Sequence, residues 1–234
     1  TTATQGAATP AKASFFSDKP LPLEILQSND FSLNLRADRV VGADMSVGPV
    51  DVDVALHDRR LRIATSEMGY WQGHMSLESV LDATGPEPRL GLKILVEDMD
   101  VANTLSYLQK PILVEGQMNL AADLQSRGRS SKEMAANLSG EFGVAIENGR
   151  IQRGVEMIAS DALDLLLTAP AKNTFTDLNC MAGRLDFAKG VGTIQILYLD
   201  TPGVRARGFG SIDMASVKGD IVIKPEFKRR FFRL

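Results

Sequence analysis

Ile112-Leu113-Val114-Glu115-Gly116-Gln117-Met118-Asn119-Leu120-Ala121-Ala122-Asp123-Leu124-Gln125 is the stretch on which the reading of the fold turns. Ile112, Val114, Met118, Leu120, Ala122 and Leu124 share one parity; Glu115, Gln117, Asn119, Asp123 and Gln125 share the other. Successive side chains of an extended chain point to opposite sides, so this period of two predicts a strand with one apolar and one wet face. At ~3.3 Å per residue the strand would run roughly 45 Å, more than twice the usual ~20 Å.

The same alternation recurs on both sides of it. Upstream, Phe31, Leu33, Leu35 and Ala37 alternate with polar residues, and Val50, Val52, Val54 and Leu56 alternate with Asp51, Asp53, Ala55 and His57. The Asp58-Arg59-Arg60 turn leads back into Leu61-Arg62-Ile63 as a hairpin. Residues 68–80 read as a strand pair around Gly69 and Gly73, and Leu90, Leu92, Ile94 and Val96 face away from Lys93 and Glu97. Downstream, Phe142, Val144 and Ile146 alternate up to Asn148-Gly149, a turn dipeptide. Strands over 174–187, 192–199, 204–214 and 218–223 follow, separated by Lys189-Gly190, Thr201-Pro202-Gly203 and Ala215-Ser216. Gly208-Phe209-Gly210-Ser211 interrupts a strand pattern and predicts a bulge or twist rather than a phosphate loop.

Short helices are expected between the strands: 23–27 behind two prolines, 101–109 capped by Asp100, and 131–137 with Ser130 and Glu133 as a capping box. A longer amphipathic helix is expected over 152–167, with Val155, Ile158, Ala162, Leu165 and Leu166 in one stripe. The fold class is mainly β (α+β): a curved antiparallel sheet, or open β-groove, with a few short helices and one longer one. Residues 1–14 read as a small-residue linker, 15–225 as one β-rich domain with a possible sub-boundary near 126–140, and 226–234 as a basic, aromatic tail. With no initiating Met and a linker-like start, the chain reads as a piece of a longer protein.

A hydrophobic share of 44% and a charged share of 24% are ordinary for a globular chain. The net charge of −3 offers no basic field for nucleic acid. Cys180 is the single cysteine and His57 and His74 are the two histidines, so an internal disulfide is excluded and neither a thiolate nor a histidine metal cluster is supported. Asp51 with Asp53, and Asp98 with Asp100, are explained by solvated strands and a helix cap. No nucleotide-binding, zinc-hydrolase or serine-hydrolase motif occurs. No catalytic residue, metal or cofactor is expected; the reading is a binding or structural protein. Phe227, Lys228, Arg229, Arg230, Phe231 and Phe232 mix cations with aromatics, which suits an anionic membrane surface or is simply a chain end.

Residues 177–191, with Cys180 and the Lys189-Gly190-Val191 turn, resemble the C-terminal region of the AsmA family. So do Leu197-Tyr198-Leu199-Asp200-Thr201-Pro202, Gly208-Phe209-Gly210-Ser211-Ile212-Asp213-Met214 and Ile221-Val222-Ile223-Lys224-Pro225. Upstream, Phe16-Ser17-Asp18-Lys19-Pro20-Leu21, Leu35-Arg36-Ala37-Asp38-Arg39-Val40, Leu138-Ser139-Gly140-Glu141-Phe142 and Glu147-Asn148-Gly149-Arg150-Ile151 also look like AsmA, in the same order. The resemblance implies a periplasmic, non-enzymatic part of an inner-membrane-anchored envelope protein, similar to bridge-like lipid-transfer proteins whose sheets hold phospholipid. It implies phospholipid and membrane as partners, with envelope proteins as further ones. The lipid-facing candidates are then Leu33, Leu35, Val52, Val54, Leu92, Ile94, Val114, Met118 and Leu120. Exposing the roughly thirty methylenes of a phospholipid to water costs about 20 kcal/mol or more, so a carrier needs a continuous apolar trough. The residues alone leave two readings: such a trough, or a core packed against the 152–167 helix. A protein-binding scaffold or chaperone module for outer-membrane assembly is the alternative function.

Overall fold

The computed structural model describes residues 16–27, 30–42, 46–70, 73–152 and 175–228. The strands are β1 (Phe31–Ala37), β2 (Val40–Val41), β3 (Ser46–His57), β4 (Arg60–Tyr70), β5 (Gly73–Asp82) and β6 (Arg89–Asp100). They continue as β7 (Val114–Arg127), β8 (Ser139–Gln152), β9 (Phe175–Ala188), β10 (Val191–Asp200), β11 (Val204–Asp213) and β12 (Lys218–Phe227). All twelve form one sheet in the order β1-β3-β4-β5-β6-β7-β8-β9-β10-β11-β12, with the short β2 also on β3. Every pairing is antiparallel, so from β3 onward the chain meanders strand to neighbouring strand. β1 and β12 are the two edges, and they do not pair with each other.

The meander follows from local chemistry. Asp58 and Arg59 (φ 48° and 62°) and Lys189 and Gly190 (51° and 76°) close two-residue turns in the left-handed conformation, whose twist matches that of the strands they join. Helix α1 (Val101–Tyr107) bridges β6 and β7; the Asp100 carboxylate accepts the Asn103 N–H at 2.9 Å. Helix α2 (Ser131–Ala136) bridges β7 and β8, and Ser130 Oγ accepts the Glu133 N–H at 3.1 Å. The expected capping box is displaced by one residue, because the Glu133 carboxylate takes the N–H of Arg129 (2.7 Å). Leu23–Gln27 forms a 3-10 turn. No helix of the described residues is long and apolar enough to cross a membrane.

Among the described residues, two small clusters of buried side chains lie at opposite ends of the strands. One gathers Val101, Leu113, Val114, Ile146, Ile151 and Leu178 beneath α1. The other seats Leu26 of the 3-10 turn on Leu56 and Ala83, with Leu61 and Leu81 around them.

Two sequence expectations change. Asn148-Gly149 is no turn; it lies inside β8, with Asn148 at φ 51°. The register passes from Glu115↔Arg150 to Gln117↔Glu147, so one residue of β7, Gly116, faces two of β8, Asn148 and Gly149, a bulge. The bulge brings Ile146 and Ile151, at an odd spacing, into one cluster. Of the expected 152–167 helix, Gln152 closes β8 and the remainder lies outside the described residues, as do the 1–14 linker and residues 229–234 of the tail.

Candidate functional site

Residues directly opposite in an antiparallel pair carry side chains on the same side of the sheet, so the register assigns every residue to a face. One row runs Leu33, Val54, Ile63, Ser79, Leu92, Leu124 from β1 to β7. The next runs Leu35, Val52, Thr65, Leu77, Ile94, Ala122, Phe142, Leu185, Ile194 and so crosses from β1 to β10. A third joins Val50, Met68, Met75, Val96, Leu120, Val144, Gly183 and Leu197, and a fourth joins Met99, Met118, Ile146, Met181 and Leu199. Ile221 and Ile223 extend the face onto β12. The hydroxyl of Thr65 is satisfied within the sheet, accepting the Leu77 N–H at 2.8 Å.

Register shifts keep this face apolar. Thr65 and Met68, Val96 and Met99, and Ile194 and Leu197 are each three apart, a spacing that puts residues of a regular strand on opposite sides. A shift lies between the members of each pair and returns both to one side. Glycines open gaps in the face and large neighbours fill them. A Cβ on Gly192 would meet Phe187 Cε1 at 2.5 Å, and one on Gly208 would meet Leu197 Cδ2 at 2.3 Å.

The opposite face is charged. Arg36–Asp51 (3.0 Å), Arg60–Asp82 (2.8 Å), Arg62–Glu78 (3.2 Å), Lys93–Asp123 (3.4 Å) and Arg184–Glu141 (3.0 Å) are cross-strand ion pairs, and Asn34 Nδ2 donates to Asp53 at 2.7 Å. Exposed pairs of this kind add little stability each, but they mark the face as wet.

The candidates distribute unevenly. Leu33 and Leu35 lie on the edge strand, 56% and 51% exposed; Val52, Val54, Leu92, Ile94, Met118 and Leu120 are half-buried on the central strands. Val114, 6% exposed, belongs to the packed cluster under α1. Met181, Leu185, Phe187, Ile194 and Leu197 share the face but were not candidates, because glycines and register shifts blur the alternation there. Phe227 ends β12, 77% exposed. Lys228 forms an ion pair with Asp200 and donates its backbone N–H to Gly203 O at 2.9 Å. Arg229, Arg230, Phe231 and Phe232 lie outside the described residues.

No group of three or more metal-ligating side chains occurs among the described residues. His57 Nε2 lies 2.9 Å from Ser32 Oγ, and His74 is exposed. Burial pushes the Cys180 thiol up, with the carboxylates of Glu147 and Asp200 adding to the effect, so it is held away from the nucleophilic thiolate. What the arrangement offers chemically is a wide apolar surface on one side of a sheet whose other side is charged.

The family model for the AsmA family matches residues 2–197. The chain is similar to AsmA family protein YhjG of Escherichia coli (strain K12), 24% identical over 197 residues, which is 80% of this chain and 27% of that protein. It is also similar to Protein AsmA of the same organism, 25% identical over 152 residues, 61% of this chain and 24% of that one. The chain thus spans about a quarter of the length of these curated relatives. No solved structure matches it.

Proposed function

The chain belongs to the AsmA family, and from that membership we propose that it binds phospholipid acyl chains against the apolar face of its sheet, as a non-enzymatic periplasmic domain of an inner-membrane-anchored envelope protein serving lipid transport and outer-membrane biogenesis. The observation that carries this reading is the run of apolar rows from β1 across to β10, which the described residues cover at its two ends, by the α1 cluster against Met118, Ile146, Met181 and Leu199 and by the 3-10 turn against Leu56. Acyl chains laid on such a face leave water at about 25 cal/mol per Å² of apolar area, without any ordered polar partner. Leu33, Leu35, Val52, Val54, Leu92, Ile94, Met118 and Leu120 are the proposed contacts, with Val114 supporting one end from the packed cluster.

Native mass spectrometry of the gently purified chain tests this, with the expected result of adducts at phospholipid masses that organic extraction removes and reloading restores. A chain that carries no lipid and takes none up from vesicles counts against it. The basic, aromatic residues Arg229, Arg230, Phe231 and Phe232 are proposed to contact anionic membrane, with Phe227 beside them. Deleting 229–234, which spares the Lys228–Asp200 pair, is expected to weaken sedimentation with anionic liposomes, and added salt to mimic the deletion. Unchanged sedimentation removes the tail from the account.

A second reading, a scaffold for envelope proteins, is favoured by the sheet's two edges, since among the described residues β1 and β12 each pair on one side and offer backbone groups for strand addition. Crosslinking from Asn34 in β1 that captures one defined polypeptide, in a chain free of lipid, would favour it.

A further inference from the structure

The charged face carries a depression of its own. Gly91 of β6 leaves part of its floor bare, since a Cβ there would meet nothing within 4 Å. A cavity of about 730 Å³ lies over it and shares Asp82, Arg89 and Arg127 with a second of about 420 Å³. Arg89 and Arg127 sit directly opposite each other across β6 and β7. Like charges in that position repel, and a sheet tolerates them at a cost.

Asp82 faces Arg89 from β5, but it and the other carboxylates nearby are engaged by other partners. Asp82 is held by Arg60 (2.8 Å) and by both the hydroxyl and the N–H of Thr84, Glu78 by Arg62 (3.2 Å), and Asp123 by Lys93 (3.4 Å). Arg129, at the rim of the smaller cavity, is paired with Glu133 (3.8 Å). Among the described residues, Arg89, Arg127 and Lys189 have no carboxylate within 4.0 Å, while Glu87 is the acidic rim residue without an ion pair. Two arginines opposite each other beside an open cavity can supply the paired N–H donors that phosphate oxygens accept.

We propose that Arg89 and Arg127, with Lys189 on the wall of the larger cavity, form a phosphate-binding site on the charged face, independent of what the apolar face binds. Inorganic phosphate and the phosphomonoester headgroup of a lipid share this chemistry. The test uses the whole chain, inorganic phosphate by calorimetry and thermal unfolding against chloride at equal ionic strength, and phosphatidylcholine vesicles with and without phosphatidic acid.

Phosphate is expected to raise the unfolding temperature beyond chloride, and Arg127→Gln to weaken its binding at least about tenfold. In chloride Arg127→Gln should unfold no earlier than the parent, and Arg127→Glu later, because each relieves the repulsion with Arg89. A loss of phosphatidic acid vesicle binding in Arg127→Gln assigns the headgroup as the source; loss of inorganic phosphate binding alone assigns the free ion. The proposal is overturned if phosphate acts no differently from chloride and the vesicles do not discriminate, if Arg127→Gln binds as the parent does, or if it is less stable than the parent in chloride.

Discussion

Gly210 stands in β11 at φ 141°, and a Cβ there would lie 1.9 Å from the carbonyl oxygen of Asp220 on β12. Alanine must therefore push the edge strand aside, and Gly210→Ala is expected to cost about 2–4 kcal/mol in denaturant unfolding. Gly143 in β8 is the counterpart: its nearest neighbour would be 3.9 Å away, so Gly143→Ala should be neutral or stabilise by up to about 1 kcal/mol. The glycine-rich stretch 208–211 was readable as an irregularity, and the register of β10 with β11 does shift opposite it, between Thr193 and Tyr198. Which glycine is obligatory was not readable, because the obstacle is a carbonyl of another strand. Asp200 adds a pH dependence. The Lys228 ammonium, then Arg205, holds its carboxyl below the ordinary 3.8. A depressed carboxyl contributes stability that is present above its unfolded value and is lost as pH falls through the folded one. Asp200→Asn is thus expected to lower stability at neutral pH and to flatten the loss of stability below about pH 4; equal acid profiles for parent and variant would contradict the pairing.

Among the elements, the packed ends and the open middle of the sheet are expected to respond differently to truncation. Ile151, at 1% exposure, is enclosed by the cluster under α1, so Ile151→Ala should cost about 2–4 kcal/mol. Leu120, half-buried between Val96 and Val144, should lose under about 1.5 kcal/mol on the same change. Equal costs, measured by urea unfolding, would mean that the central face is a packed core. Strand positions were legible wherever side chains alternate without interruption, as in residues 31–37, 50–56 and 112–125. Asn148-Gly149 misled because its left-handed preference serves a bulge as well as a hairpin turn; only the pairing partners across β7 distinguish the two. The capping residues Asp100 and Ser130 were readable because a cap is satisfied within three residues of chain.

Across the whole molecule, one sheet carries apolar rows on one side and cross-strand ion pairs on the other. The antiparallel meander was legible from evenly spaced strands and turns. The extent of the apolar face was not, since β9 to β11 contribute through Phe187 over Gly192 and Leu197 over Gly208, contacts that no local period encodes. Nor was the facing of Arg89 and Arg127, which depends on how two strands joined through α1 align. The claim that the apolar rows hold lipid is tested most directly by two adjacent residues of β7. Leu120 lies on the apolar face between Val96 and Val144; Ala121 lies on the wet face between Leu95 and Gly143. In a closed core a buried carboxylate costs several kcal/mol, whereas on an open trough it reaches water once lipid leaves. The measurement is bound phospholipid per chain together with the unfolding temperature, for Leu120→Glu and Ala121→Glu. The account predicts that both variants stay folded and that Leu120→Glu alone loses its lipid; Leu120→Glu unfolding while the parent carries no lipid would contradict it.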